Sequence, residues 1–311
     1  MSCNLSVGND FARQCTNADC IYFRCTYSGC GRPCPNGCVL WRYRYSPPAC
    51  SIENYYAFLA ALDDVARRDI RWVVLPGDLT DDGQFFNQQK IKELLNSYAA
   101  AKGMRFFVTT GNHDPALPLG LVKKNTHFLA ADGSRVTRED SCAGYVSQME
   151  CYTDFGFFPR KDDCYWESPF TSYTYDKYAY EEACRESVLD KRTYTLCDSL
   201  TATDASYLVE PVDGLWLLAI DGGVYLPKEM KDGKWTYQGS SAGYNLVLKH
   251  KPFLLPWVRK VVEEARKRHK TLVAFSHYPL VDFNDGVSES VHRMWGGPSL
   301  RFAPCAGSRS E

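Results

Sequence analysis

Three short segments carry the residue types that metal and phosphate chemistry needs: Gly77-Asp78, Gly111-Asn112-His113-Asp114 and Ser276-His277. Each stands directly after a run that reads as a strand, at 70–76, 104–110 and 271–275. Ligands of α/β sheets bind beyond the carboxyl ends of the strands, so three such ends can converge on one site. Carboxylate, amide oxygen and imidazole are donors suited to a divalent ion such as Mn, Fe or Zn. A pair of such ions activates water and neutralises charge on a phosphoryl group. Taken singly, each residue has a plainer use. An Asp after a strand caps a helix, a lone His sits in a hydrogen-bonded core, and Asn-His-Asp makes a turn. Asp221 also ends a strand and precedes Gly222-Gly223; it reads as a turn carboxylate near the same pocket.

The elements that must position these residues are legible around them. Ile52, Tyr55, Tyr56, Leu59, Leu62 and Ala66 recur at helical spacing, with Ser51 placed to cap. The run 70–76 (IRWVVLP) is the pattern of a buried strand, and a second helix fits 87–101 with Gly103 as its stop. The run 104–110 (MRFFVTT) is a second strand. Residues 206–210 and 215–220 flank Val212-Asp213-Gly214, which predicts a hairpin. An amphipathic helix fits 253–269, rich in Lys and Arg toward its end, and the strand 271–275 (TLVAF) follows. This order of helices and strands predicts an α/β fold. Between 145 and 180, twelve of thirty-six residues are Phe, Tyr or Trp, which predicts an insertion packed through its rings.

Composition excludes several classes. The 311 residues carry 36 Lys and Arg against 37 Asp and Glu, a net charge of −1 that speaks against nucleic acid as the main partner. No apolar run reaches the ~20 residues of a membrane-spanning helix, and no signal peptide is visible, which leaves a cytoplasmic default. The cysteines divide the chain. Eight of the fourteen lie in residues 1–50, a segment with five Arg against Asp10 and Asp19. That density suggests a disulfide framework or metal cluster, yet no Cys-x-x-Cys pair occurs. The expected organisation is a Cys-rich segment at 1–50, a main domain at 51–285 with an aromatic insertion at 145–200, and an irregular tail at 286–311.

Strand–Gly77-Asp78, then strand–Gly111-Asn112-His113-Asp114, then strand–Ser276-His277-Tyr278-Pro279, in this order, resembles the calcineurin-like metallophosphoesterases over about residues 51–285. The resemblance implies a four-layer α/β/β/α sandwich with two metal ions between its sheets. It implies that Asp78 bridges the two ions and that Asn112 and His277 bind the second. It implies that His113, not itself a ligand, protonates the leaving oxygen or stabilises the transition state, oriented by Asp114, while a metal-activated water attacks phosphorus in a small phosphodiester or phosphomonoester. The family's first Asp-x-His and last Gly-His-x-His motifs have no counterpart here. No His precedes His113, and after His277 only His292 remains, between Val291 and Arg293. Both missing motifs belong beside the two unusual end segments. The expectation is therefore an internal piece of such an enzyme with replaced ends; the alternative is a catalytically inactive relative with a vestigial metal site.

Overall fold

The computed structural model describes residues 20–22, 38–39, 51–80, 83–114, 121–130, 135–197, 200–231, 234–237 and 246–278. Strands Cys20–Tyr22 (β1) and Cys38–Val39 (β2) precede the helix Ser51–Arg67 (α1). Then come Trp72–Leu75 (β3), the helix Phe85–Lys102 (α2), Arg105–Val108 (β4) and the hairpin of Leu121–Ala130 (β5) with Arg135–Cys142 (β6). The helix Tyr145–Cys151 (α3), the strand Tyr165–Glu167 (β7) and the helix Tyr180–Glu186 (α4) follow, with Thr193–Cys197 (β8) and Leu200–Thr203 (β9). The chain continues through Tyr207–Val212 (β10), Leu215–Ile220 (β11), Pro227–Lys231 (β12) and Lys234–Tyr237 (β13). It closes with Val247–His250 (α5), Leu254–Lys267 (α6) and Thr271–Ser276 (β14). Among the described residues no helix is long and apolar enough to cross a membrane.

Two sheets carry the molecule. The first has the order β1-β3-β4, all parallel; the second has the order β14-β11-β10-β7. In the second, β14 runs parallel to β11, and β10 runs antiparallel to both β11 and β7. The side chains of β10 and β11 alternate between two cores, as strand periodicity requires. Val209, Leu217 and Ala219 join β3, β4, α1 and α2 in one core. Leu208, Trp216 and Leu218 join Leu254, Trp257 and Val261 of α6 in the other. A fully buried leucine such as Leu62 or Leu217 contributes on the order of 1.5–3 kcal/mol, so these two cores supply most of the cohesion.

The regular elements follow the sequence pattern with trimmed ends. The hairpin of β10 and β11 turns at Asp213-Gly214, and α2 ends at Gly103, whose N–H donates to the Ala99 carbonyl at 2.9 Å. Differences are informative. The helix α1 takes in Ser51 itself, and its buried stripe is Phe58, Leu62, Val65 and Ala66. Tyr56 is 47% exposed: it lies off the face that the 58–62–65 stripe turns to β3. The strand β14 is only partly buried, because among the described residues it pairs on one side alone, with β11. The hairpin of β5 and β6 has no counterpart in the sequence reading. Its sequences, LVKKNTHFLA and RVTREDSC, lack the clean polar–apolar alternation that marks a strand.

The rings of 145–180 are largely buried. Tyr152, Phe155, Phe157 and Trp166 enter the first core, and Tyr165 and Tyr173 the second. Tyr207 ties the sheets together: its hydroxyl donates to the Val108 carbonyl at 2.9 Å and to Phe155 at 3.3 Å. Within the Cys-rich start, Cys20–Tyr22 pairs with β3 and Cys38–Val39 with β5. The rest of the Cys-rich segment, His292 and the tail at 286–311 lie outside the described residues.

Candidate metal centre

The parallel register of β3 and β4 pairs Leu75 with Val108, so both strands end at one level. The chain leaves them through Pro76-Gly77-Asp78 and Thr109-Thr110-Gly111-Asn112, side by side. The two loops touch backbone to backbone. A Cβ on Gly111 would overlap the Asp78 backbone N and Oδ1, and one on Gly77 would overlap Gly111 and Thr110. Gly77 has φ +84° and Asp78 φ +56°, a left-handed pair in which only the first residue is free of strain. A strained non-glycine residue of this kind persists where the surroundings over-determine it, and such residues cluster at functional sites.

The strain aims Asp78. Its Oδ1 accepts the His113 backbone N–H at 2.9 Å, which locks the two loops together. Its Oδ2 stands 3.3 Å from His277 Nε2. His277 leaves β14 in the second sheet, and its Nε2 also lies 2.7 Å from Asn112 Oδ1. The other ring nitrogen, Nδ1, is 3.0 Å from the Pro76 carbonyl. A carbonyl only accepts, so Nδ1 carries a proton, and Nε2 is the ring atom that faces the two oxygens. Three electron-rich atoms from three strand ends thus meet in a nearly buried place: Asp78 is 4% and His277 8% exposed. The carbonyl behind Nδ1 is the outer-shell partner that metal-binding histidines use. The donor set therefore fits a divalent ion. Among the described residues no three His, Cys, Asp or Glu side chains gather, and the third donor is an amide.

Asp114 is fully buried behind this cluster. Its Oδ1 accepts Thr80 N–H at 2.7 Å and Thr80 Oγ1–H at 3.0 Å, and its Oδ2 accepts Gln148 Nε2–H at 3.3 Å. Its own carbonyl accepts Gly111 N–H at 3.0 Å. Burial, then the nearby Asp78 charge, pushes its pKa up to about 7 against these hydrogen bonds. Asp114 thus clamps the 77–80 loop, the 111–114 loop and α3. His113 lies at the rim, half-buried, with its backbone pinned to Asp78.

The five residues singled out in sequence, Asp78, Asn112, His113, Asp114 and His277, lie together at these strand ends. Three contributors carried weaker signals or none. Thr80 was visible only as part of Gly77-Asp78-Leu79-Thr80, and nothing marked Gln148 in the aromatic stretch. Asp221 is a buried hub rather than a simple turn carboxylate. It accepts hydrogen bonds from Thr110 Oγ1 at 3.1 Å and from Lys251 Nζ at 2.8 Å.

A comparison with curated proteins finds no match. The family model of the calcineurin-like phosphoesterases matches residues 50–303, which spans all three strand-end motifs and the strands that present them. The chain therefore belongs to the calcineurin-like phosphoesterase family.

Proposed function

We propose that this chain hydrolyses phosphodiesters or phosphomonoesters with a water activated at a metal centre held by Asp78, Asn112 and His277. The observation that carries the reading is the meeting of Asp78 Oδ2 and Asn112 Oδ1 at His277 Nε2, at 3.3 Å and 2.7 Å from it. A bound Mn, Fe or Zn ion supplies positive charge against the phosphoryl oxygens and acidifies water. Two such ions are the family's usual complement, and Asp78 would be the carboxylate that helps to hold both. The protein's own residues do the rest. Asp78 is aimed by its strained backbone and by the His113 N–H. The Pro76 carbonyl fixes the His277 tautomer. His113, at the rim, is placed to protonate the departing oxygen. Asp114 orients His113 by clamping the loop that carries it, through Thr80 and Gln148. The near-neutral net charge suits a small phosphoester better than a nucleic acid.

We also propose the family's four-layer α/β/β/α sandwich. The split of β10 and β11 between a core shared with α1 and α2 and a core under α6 supports it. The main domain would cover 51–285, with 1–50 and 286–311 as appended segments.

The test is hydrolysis of bis(p-nitrophenyl) phosphate with Mn²⁺, beside His113→Ala. Metal-dependent turnover that falls ~10²–10⁴-fold in His113→Ala supports the reading. The three-donor set, with only two His or Asp side chains in it, favours a second reading, an inactive relative with a vestigial site. A folded parent chain that binds Mn²⁺ but turns over no phosphoester supports that one.

A further inference from the structure

We infer that Asp221, braced by Lys251, is a positioning residue that sets the Asn112 loop against His277 through the Thr110 hydroxyl. This rests on the metal-site reading above. The register of β11 and β14 pairs Ile220 with Ser276, so Asp221 and His277 leave neighbouring parallel strands at one level. Asp221 then reaches across to the first sheet. Its Oδ1 accepts Thr110 Oγ1–H at 3.1 Å, Tyr145 O–H at 3.3 Å and Gly223 N–H at 2.9 Å. Its Oδ2 accepts Ala205 N–H at 3.1 Å and Lys251 Nζ–H at 2.8 Å. A carboxylate offers about four lone-pair directions, so this one is saturated and has none left for a metal. Its role is to hold, not to ligate.

What it holds is the seam between the sheets. Asp78 and Asn112 come from the first sheet and His277 from the second, so the donor set closes only if the sheets keep their spacing. Metal–ligand distances tolerate about ±0.2 Å. Thr110 is two residues before Asn112, and its hydroxyl bonds directly to the carboxylate beside His277. Lys251 makes the brace stiff. It is fully buried, donating to Asp221 Oδ2, to the Asp221 carbonyl at 3.0 Å and to Asp204 Oδ2 at 2.9 Å. Outer-shell partners of metal ligands change affinity by about 10–100-fold when removed, which is the scale expected here.

The experiment measures Mn²⁺ affinity by calorimetric titration, with the melting temperature in chelator, for Thr110→Val, Thr110→Ser and Asn112→Ala. Valine keeps the shape and deletes the hydroxyl. The expected result is Mn²⁺ binding weakened about 10–100-fold in Thr110→Val, near-parent binding in Thr110→Ser, and a melting temperature within a few degrees for both. If valine is not accommodated, Thr110→Ala deletes the same bond, and the same contrast with serine is expected. Unchanged Mn²⁺ affinity in the valine or alanine variant, with Asn112→Ala weakened, overturns the positioning role. Unchanged affinity in Asn112→Ala as well overturns the metal-site reading beneath it.

Discussion

Asp221 and His277 leave adjacent strands side by side, yet they belong to buried clusters of opposite kinds. Around Asp221 the charges are matched. Lys251 and Arg192, both fully buried, face Asp204 and Asp221, also fully buried. Burial alone would lower the Lys251 pKa, but Asp204 and Asp221 outweigh it and hold it above its ordinary value. Burial lowers that of Arg192 to about 10, against the pull of the same two carboxylates. Arg192 also donates to the Phe157 carbonyl at 2.6 Å and the Ser206 carbonyl at 3.1 Å. Around His277 the cluster is of another kind: Asp78 Oδ2 at 3.3 Å and Asn112 Oδ1 at 2.7 Å face an imidazole nitrogen, Nε2, rather than a fixed cation. A cluster matched by fixed cations is finished as it stands, whereas two oxygens and an imidazole are the donor types that a divalent ion takes.

The largest expected effect tests the unmatched side. Asp78→Asn should reduce phosphoesterase activity at least ~10³-fold, because a metal centre contributes several kcal/mol of transition-state stabilisation. The same variant should raise the melting temperature in chelator, a gain of about 0.5–2 kcal/mol. Asn tolerates the left-handed φ of +56° better than most residues, keeps an oxygen for the His113 N–H, and removes the carboxylate charge beside buried Asp114. A lower melting temperature for metal-free Asp78→Asn would break the comparison, because the site would then be self-sufficient.

The matched side should answer in the opposite sense. Lys251→Met leaves Asp204 and Asp221 buried without their shared cation, and loss of one partner of a buried ion pair costs about 3–5 kcal/mol. Chemical denaturation in chelator should show that loss in the metal-free protein, where Asp78→Asn shows a gain. Adding Asp204→Asn to Lys251→Met should recover part of the stability, since one of the two stranded charges is then removed. A Lys251→Met protein as stable as the parent would mean that the cluster is not closed by its own charges.

The contrast also explains what was legible in the sequence. Asp78, Asn112, His113, Asp114 and His277 stood out because strand, glycine and polar motif recur in a fixed local order, and local order is what a sequence displays. The helix α2 and the hairpin of β10 and β11 were legible for the same reason. The matched cluster was not. Arg192, Asp204 and Lys251 come from three separate stretches with no periodic or motif signal, and only the fold brings them to Asp221. The error at Tyr56 has a related cause. A helix advertises that it has an apolar face, but aromatic residues bordering that face blur its centre, and only packing on β3 selects Phe58 and Val65. The long hairpin of β5 and β6 was hidden by its many charged residues and by a register shift between Lys123 and Thr126, both of which blur alternation.

The smallest expected effect sets the baseline for both clusters. On α1, Arg68 Nε lies 2.8 Å from Asp64 Oδ2, a distance as short as that between Lys251 and Asp221. The side chains are 59% and 43% exposed, however, so water and salt screen the pair and each partner is well solvated without the other. Arg68→Ala should therefore change stability by less than about 0.5 kcal/mol, and the change should shrink further in high salt. Measured by the same denaturation as Lys251→Met, it separates burial from geometry as the source of the effect. A loss of several kcal/mol in Arg68→Ala would mean that short ion-pair distances alone carry the stability, and the distinction between matched and unmatched buried charge would lose its basis.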